Sequence, residues 1–208
     1  MVSEALSSTG IIDIYAEVGL NHPDISLIDD DFAAKAIKSP QPNVQIAMLK
    51  KLLQTEVKKA GETNLVRQRK FSELLDRAMK AYNNRSLTAA QVISELVGMA
   101  EEMKREHDRG AQIGMKEDEL AFYDAVTQNG SAIMELGDDT LKQIAADLVT
   151  TVRQNATVDW NIKEQARAKL RSTVRRLLTK YHYPPDKKES AVDLVLEQAE
   201  RLAAEVAP

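Results

Sequence analysis

The chain has no cysteine among its 208 residues, and aromatic residues make up only 4% of it. Without thiols there is no disulfide framework, no thiolate nucleophile and no zinc site built on cysteine. No stretch approaches the roughly 18 consecutive apolar residues of a membrane span. Residues 1–4 have neither the basic region nor the apolar run of a signal peptide. These absences predict a cytoplasmic protein that does not cross a membrane.

Strand signals are also scarce, because no run shows sustained alternation of apolar and polar residues. Apolar residues recur at helical spacing instead, and the connections after residue 43 are short, which favours antiparallel neighbours. We therefore expect an all-α fold, an irregular multi-helix bundle of mostly antiparallel helices with short loops. The breaker Ser39-Pro40-Gln41-Pro42 predicts a boundary between a short-helix segment, residues 1–42, and a helical domain, residues 43–208.

Several helix ends can be predicted from single residues. Asn43 is a good N-cap for the first long helix, and Gly61 is expected to end it. Thr88 with Gln91 forms a capping box for a later helix. Asp139 is expected to cap another helix. The last helix is predicted to run from about residue 188 to residue 206.

Charge is distributed unevenly along the chain, although the total is only −4. Residues 95–147 hold 13 acidic and 5 basic residues, a net charge of −8. Residues 163–188 hold 9 basic and 2 acidic residues, a net charge of +7, and residues 50–85 hold 10 basic and 4 acidic residues, a net charge of +6. These blocks can neutralise each other within the fold or at a subunit contact. Alternatively, the basic blocks can bind nucleic-acid phosphates.

The sequence has no pattern that predicts a cofactor or metal site. The phosphate-binding loop and the glycine-rich dinucleotide turn are both missing. The string Glu106-His107-Asp108 cannot converge on one ion, because consecutive helical residues point in different directions. The run Asp29-Asp30-Asp31 lacks the spaced ligands of a calcium loop and is expected to form the charged first turn of a helix.

Two short triplets match the minimal E-x-K element of one large class of nucleases. They are Glu56-Val57-Lys58 and Glu102-Met103-Lys104. Nucleases of that class place the triplet on a strand, where the Glu and the Lys point to the same face. Both triplets lie on predicted helices, where residues two apart diverge. We therefore predict no catalytic residue, no bound cofactor and no metal site in this chain.

The strongest surface feature is a basic helix that follows the only tryptophan, Trp160. One row recurs at four-residue spacing and consists of Lys163, Arg167, Arg171 and Arg175, and a second row consists of Lys169, Arg176 and Lys180. Both rows flank an apolar stripe, so their side chains can extend over a neighbour while the charge stays in water. Trp160 can be a packing anchor or a partner-binding residue. No aromatic residues interleave with the cations, which argues against stacking on single-stranded bases. The candidate contacts for a partner or for DNA are Trp160, Lys163, Arg167, Lys169, Arg171, Arg175, Arg176 and Lys180.

Several strings, taken in order, resemble the C-terminal helical region of type I restriction enzyme R subunits. The first resemble the segment where that region leaves the motor domains, and the others lie within the region itself. The strings are Ile11-Ile12-Asp13-Ile14-Tyr15, Pro23-Asp24-Ile25-Ser26, Phe71-Ser72-Glu73-Leu74-Leu75, Tyr82-Asn83-Asn84-Arg85, Glu119-Leu120-Ala121-Phe122-Tyr123-Asp124-Ala125, Thr157-Val158-Asp159-Trp160, Arg167-Ala168-Lys169-Leu170-Arg171 and Lys180-Tyr181-His182-Tyr183-Pro184-Pro185-Asp186. One departure is His182, where the pattern leads us to expect glycine.

The resemblance implies that the chain is part of a longer R subunit, an ATP-dependent type I site-specific deoxyribonuclease that translocates DNA. Its nuclease and motor domains are expected upstream, where ATP and Mg²⁺ act. The C-terminal helical region is expected to be non-catalytic and to dock the R subunit onto the methyltransferase core of M and S subunits. An auxiliary duplex-DNA-binding role is the alternative.

Overall fold

The computed structural model describes residues 25–128, 130–155, 164–185 and 188–206. Every regular element within these ranges is helical, so the predicted all-α class is confirmed. A short 3₁₀ turn, Ile25–Leu27, precedes the α-helices. The helices are α1 (Asp30–Ile37), α2 (Pro42–Thr63), α3 (Leu65–Asn83), α4 (Ala89–Ile113), α5 (Glu117–Thr127), α6 (Gly130–Leu136), α7 (Asp138–Asn155), α8 (Glu164–Lys180) and α9 (Lys188–Val206).

The described residues form two compact units. The first unit holds residues 25–56 and 71–106, and the second holds residues 57–70 and the described residues from 107 onward. Helices α2, α3 and α4 contribute residues to both units. The division at residue 42, between a segment that continues from motor domains and a helical domain, stays a prediction.

Each unit buries apolar side chains at the helical spacing seen in the sequence. In the first unit, the largest fully buried side chains include Phe71, Met48, Leu52 and Ile93. In the second unit, one continuous core joins α5, α7, α8 and α9. The buried stripe of α8 in this core consists of Leu170, Val174 and Leu178.

Two predicted N-caps are wrong by a short distance. Helix α2 begins at Pro42, so Asn43 lies inside its first turn. Proline is favoured at the first helical position because it has no N–H to leave unpaired. The Asn43 side chain instead accepts a hydrogen bond from the Tyr82 hydroxyl. Helix α7 begins at Asp138, which places Asp139 in its first turn, where an acidic side chain is stabilised by the helix dipole.

The prediction that Gly61 ends the first long helix is also wrong, because α2 continues to Thr63. A Cβ at Gly61 would lie 2.3 Å from Cδ of Gln68, so this glycine permits a close approach. The break falls at Asn64, whose Oδ1 accepts a hydrogen bond from the backbone N–H of Arg67 at 3.0 Å. Asn64 therefore caps α3, as asparagine does at many helix starts.

Other helix ends agree with the sequence. The Gln91 backbone N–H donates to Thr88 Oγ1 at 3.3 Å, and the Thr88 N–H donates to Gln91 Oε1 at 2.8 Å, which confirms the capping box. The acidic run also begins a helix, because Asp29 Oδ1 accepts from the Phe32 N–H at 2.8 Å. The predicted range of the last helix is confirmed by α9.

The end of α8 shows how a non-glycine residue takes a glycine position. His182 has a φ of +56°, in the left-handed region. Its N–H donates to the Thr179 carbonyl at 3.0 Å, and the Tyr183 N–H donates to the Leu178 carbonyl at 2.9 Å. This pair of bonds is a Schellman cap, in which glycine is the usual residue. Histidine adopts the cap geometry here at a cost in backbone strain.

Candidate functional site

The first row of cations on α8 is engaged by α9. Arg167 pairs with Glu200, Arg171 with Asp193 and Arg175 with Glu189. The hydrogen bond from Arg175 to Glu189 raises the pKa of the Arg175 guanidinium above its ordinary value. These three arginines form the paired row. Their charge is neutralised within the second unit, mainly by α9 and not by the acidic middle of the sequence.

Two cations of the second row lie on a different face of the same helix. Lys169 and Arg176 are exposed, and neither has an ion-pair partner among the residues that the structure describes. Lys169 and Arg176 are called the open row below. Exposed polar residues continue this face, because Gln165, Ser172 and Thr179 are also exposed.

Lys180 lies at the end of α8 and is only loosely held. Its Nζ is 3.8 Å from a carboxylate oxygen of Asp147, and it lies 5.0 Å from the centre of the Tyr181 ring. The Tyr181 hydroxyl donates to Asp147 Oδ2 at 2.8 Å, which raises the pKa of Tyr181. Asp147 is the one point where the acidic middle of the sequence neutralises a cation of α8 in the described part of the chain.

Two of the predicted contact residues, Trp160 and Lys163, lie outside the described residues. The other six all lie on α8, but the structure separates them by environment. Three form the paired row, two form the open row, and Lys180 lies at the C-terminal end of α8. The sequence grouped Lys169, Arg176 and Lys180 in one row, whereas only the first two lack an acidic neighbour among the described residues.

A buried polar cluster, which the sequence reasoning missed, lies in the second unit around Asp124. The Asp124 side chain is only 5% exposed. Asn64 Nδ2 donates to its Oδ2 at 2.7 Å, the Arg109 guanidinium pairs with its Oδ1, and Arg67 Nε lies 3.9 Å from Oδ2. Arg67 in turn lies 3.5 Å from Glu117. These five residues form the Asp124 cluster.

Burial dominates the electrostatics of this cluster. Loss of water raises the pKa of the Asp124 carboxyl, and Arg109, Asn64 and Arg67 act against that rise by stabilising the charged form. Nearby, burial and a hydrogen bond to Asp138 raise the pKa of Tyr123 to about 12. A signal for the cluster was present in the sequence, because Asp124 interrupts the otherwise apolar run from Leu120 to Val126.

The cluster also fixes the junction between α2 and α3, together with two side chains of α9. Gln198 accepts a hydrogen bond from the Leu65 N–H at 3.0 Å and donates to the Thr63 carbonyl at 2.6 Å. Arg201 donates to the Gly61 carbonyl at 2.7 Å. Backbone groups at the end of α2 and the start of α3 thus obtain partners, as buried backbone groups require.

The E-x-K triplets and the Glu106-His107-Asp108 string lie on helices, as the sequence predicted. Lys104 of the second triplet donates to the carbonyls of Ser26 and Ile28, so it ties the 3₁₀ turn to α4. His107 and Asp108 are exposed on α4.

Within the described ranges, no group of three or more His, Asp or Glu side chains could hold a metal ion. None of the described helices combines the length and apolar character that a membrane crossing requires.

Comparison with known families matches residues 1–205 to the family described as type I restriction enzyme HindI endonuclease subunit-like, C-terminal. The chain is 36% identical over 206 residues to the type I restriction enzyme HindI endonuclease subunit of Haemophilus influenzae, covering 99% of this chain and 20% of that protein. It is 25% identical over 183 residues to a protein of Methanocaldococcus jannaschii described as an endonuclease subunit of the type I restriction enzyme MjaIXP, covering 86% of this chain and 17% of that protein.

No solved structure matches the chain significantly. The chain spans about a fifth of the length of the curated relatives that it matches. The family match covers nearly the whole chain, and the two relatives agree on the subunit. The chain therefore belongs to the family of C-terminal regions of type I restriction enzyme endonuclease subunits, the R subunits.

Proposed function

We propose that this chain docks the R subunit onto the methyltransferase core formed by the M and S subunits. The observation that carries the proposal is the family membership. The relatives are named as endonuclease subunits of type I restriction enzymes, and a subunit needs a surface that holds it to the rest of its complex. A helical region at one end of the subunit can supply that surface without taking part in the chemistry.

The chemistry of restriction is proposed to lie elsewhere in the parent subunit. That subunit would use ATP and Mg²⁺ to translocate DNA and would cleave it with its own nuclease domain. The present chain contributes contact, not bond cleavage. ATPase and nuclease assays on the isolated chain should therefore be blank, and turnover that is lost with a single point mutation would contradict this division.

Helix α6 offers a side-chain feature that suits protein contact. Met134 is 82% exposed and its neighbour Ile133 is 46% exposed, and Ile37 is the one other exposed large apolar side chain among the described residues. Contiguous exposed apolar surface can mark a protein-binding site. Methionine is well suited to such a site because its flexible thioether adapts to the partner surface. We propose that these two residues contribute to the contact with the methyltransferase core.

The test is sedimentation of the 208-residue chain with the methyltransferase core from the same restriction system. The chain should co-sediment with the core, and Met134→Lys should weaken the complex by about 10-fold or more, because it places a charge in an apolar contact. Gln143→Lys, an exposed change on α7, is the matched control. No co-sedimentation of the wild-type chain, when the longer subunit does co-sediment, would overturn the proposal.

Auxiliary binding of duplex DNA is the second candidate function. One observation favours it: the open row presents two cations that are not neutralised by any described carboxylate. Fluorescence anisotropy of a labelled duplex should then rise with protein at low salt, and the affinity should fall steeply as salt is added. Undetectable binding at low ionic strength would remove this candidate.

A further inference from the structure

The cations of α8 form two groups, which differ in whether a carboxylate of α9 pairs with them. The paired row faces α9, where each arginine meets a carboxylate. The open row, Lys169 and Arg176, lies on a separate exposed face. Helix α8 itself has one acidic residue, Glu164, in its first turn. Beyond that turn, the exposed face carries positive charge that α8 itself does not neutralise.

The spacing of the open row suits contacts along a charged backbone. Lys169 and Arg176 are seven residues apart, which is about two helical turns and about 10 Å along the axis. Gln165 and Ser172 lie on the same exposed face, four positions before and three positions after Lys169. Amides and hydroxyls are, with Lys and Arg, the side chains that most often donate hydrogen bonds to phosphate oxygens.

The chemistry of this face favours nucleic acid over a protein surface. The centre of a protein interface is usually apolar or aromatic and poor in lysine. On the described part of the chain, the exposed large apolar side chains are Ile37, Ile133 and Met134, and none of them is on α8. The face also lacks aromatic residues on which unpaired bases could stack. A duplex, approached through its phosphates, fits this face best.

The paired row is unsuited to the same role. A phosphate that approaches Arg171 or Arg175 also approaches Asp193 or Glu189, whose negative charges repel it. One Nη of each arginine is moreover engaged by its carboxylate. The paired row therefore holds α8 against α9 and leaves the open row facing solvent.

We infer that the open row binds the phosphate backbone of duplex DNA without reading its sequence. This inference rests on the second candidate function and names the residues and the kind of contact. Arg176 presents the planar guanidinium that matches a phosphate in two-point hydrogen bonding, and Lys169 adds a point charge two turns away. Neither residue is needed for the fold, because neither contributes to the buried core.

The test compares duplex binding by the wild-type chain and by Lys169→Gln/Arg176→Gln across a salt series. Log affinity falls as log salt concentration rises, and removing two phosphate contacts should make this negative slope shallower by about 2. The loss should be equal on duplexes of unrelated sequence. The control Lys35→Gln/Lys116→Gln removes the same net charge from exposed lysines outside both basic blocks and should leave the slope nearly unchanged. Circular dichroism should be the same for all three proteins.

The outcomes separate this inference from the function on which it rests. If the wild-type chain binds duplex DNA but the open-row variant keeps the full salt slope, duplex binding stands and the inference fails. Equal losses in the variant and the control would also overturn it, because total charge and not position would then matter. If the variant binds DNA normally but binds the methyltransferase core less well, the open row contacts an acidic protein surface instead. If the wild-type chain does not bind duplex DNA, both the second candidate function and this inference are overturned.

Discussion

The Asp124 cluster and the paired row of α8 both join arginine to a carboxylate, but the Asp124 carboxylate is buried and the pairs on α8 are exposed. In the cluster, Asp124 is 5% exposed and has three polar neighbours, Asn64, Arg67 and Arg109. On α8, the paired arginines remain 37–54% exposed. Burial makes a charge costly unless it has partners, whereas an exposed charge is solvated with or without one. The cluster is therefore expected to matter for folding, and α8 for contact.

This difference sets the expected size of each mutational effect. Exposed ion pairs typically contribute 0 to about 1 kcal/mol, because water and salt screen them. Removal of one partner from a buried pair costs about 3–5 kcal/mol, because a charge is left buried without compensation. Substitutions in the two regions should therefore differ in their effect on stability by several-fold.

The largest expected loss comes from Asp124→Ala. It removes the buried carboxylate that Asn64, Arg67 and Arg109 share, and we expect the free energy of unfolding to fall by about 3–5 kcal/mol. Urea denaturation followed by circular dichroism measures it. Asp193→Ala, which removes the exposed partner of Arg171, is the control and should cost about 1 kcal/mol or less. Equal losses in the two variants would show that burial does not distinguish the regions.

The next effect is that of Gln198→Ala, at the junction between α2 and α3. Gln198 is 2% exposed, and its side chain binds the Leu65 N–H and the Thr63 carbonyl. Truncation leaves buried backbone groups without partners, which costs about 1–3 kcal/mol. The exposed Gln165→Ala on α8 should change stability by less than about 0.5 kcal/mol. If Gln198→Ala leaves the free energy of unfolding unchanged, water replaces the side chain at the junction.

A smaller effect of opposite sign is expected for His182→Gly at the end of α8. Glycine adopts the observed left-handed conformation without the steric cost of a side chain, so the variant should be more stable by about 1 kcal/mol. His107→Gly is the matched control, because it places glycine inside α4 and should destabilise by about 0.5 kcal/mol. Thermal unfolding resolves the two signs. A destabilised His182→Gly variant would show that the histidine ring contributes more than its backbone strain costs.

The smallest effect is that of a single ion pair in the paired row. A double-mutant cycle of Arg171→Ala and Asp193→Ala should give a coupling energy of about 0.2–1 kcal/mol. The coupling should shrink as salt is added, because exposed charges are screened. Chemical denaturation at two ionic strengths measures this. A coupling of several kcal/mol that is insensitive to salt would place this pair with the Asp124 cluster.

Local patterns in the sequence predicted much of the helical framework. The capping box at Thr88 and the range of α9 followed from residues within one or two turns of each other. The N-cap errors at Asn43 and Asp139 were shifts of one or two positions, whereas the error at Gly61 came where the deciding contact was distant. Glycine is common at helix ends, yet α2 continues past Gly61. The junction between α2 and α3 is held instead by Gln198 and Arg201, more than 130 positions away in the chain.

The charged residues show the same limit. The sequence identified the four-residue repeat Arg167, Arg171 and Arg175, but not that α9 would supply Glu200, Asp193 and Glu189 at matching positions. Nor did it predict the Asp124 cluster, which brings together residues from α5, the end of α4 and the start of α3. Such pairings depend on how helices pack, and periodicity within one helix does not encode them.

The central claim is that this region makes the contact between the R subunit and its methyltransferase core. Competition tests it most directly: the full R subunit is bound to a labelled M and S core, and the 208-residue chain is added in excess. The chain should displace the R subunit, with half-displacement at a concentration that Met134→Lys raises by about 10-fold or more. An R subunit that stays fully bound at saturating, folded chain would contradict the claim.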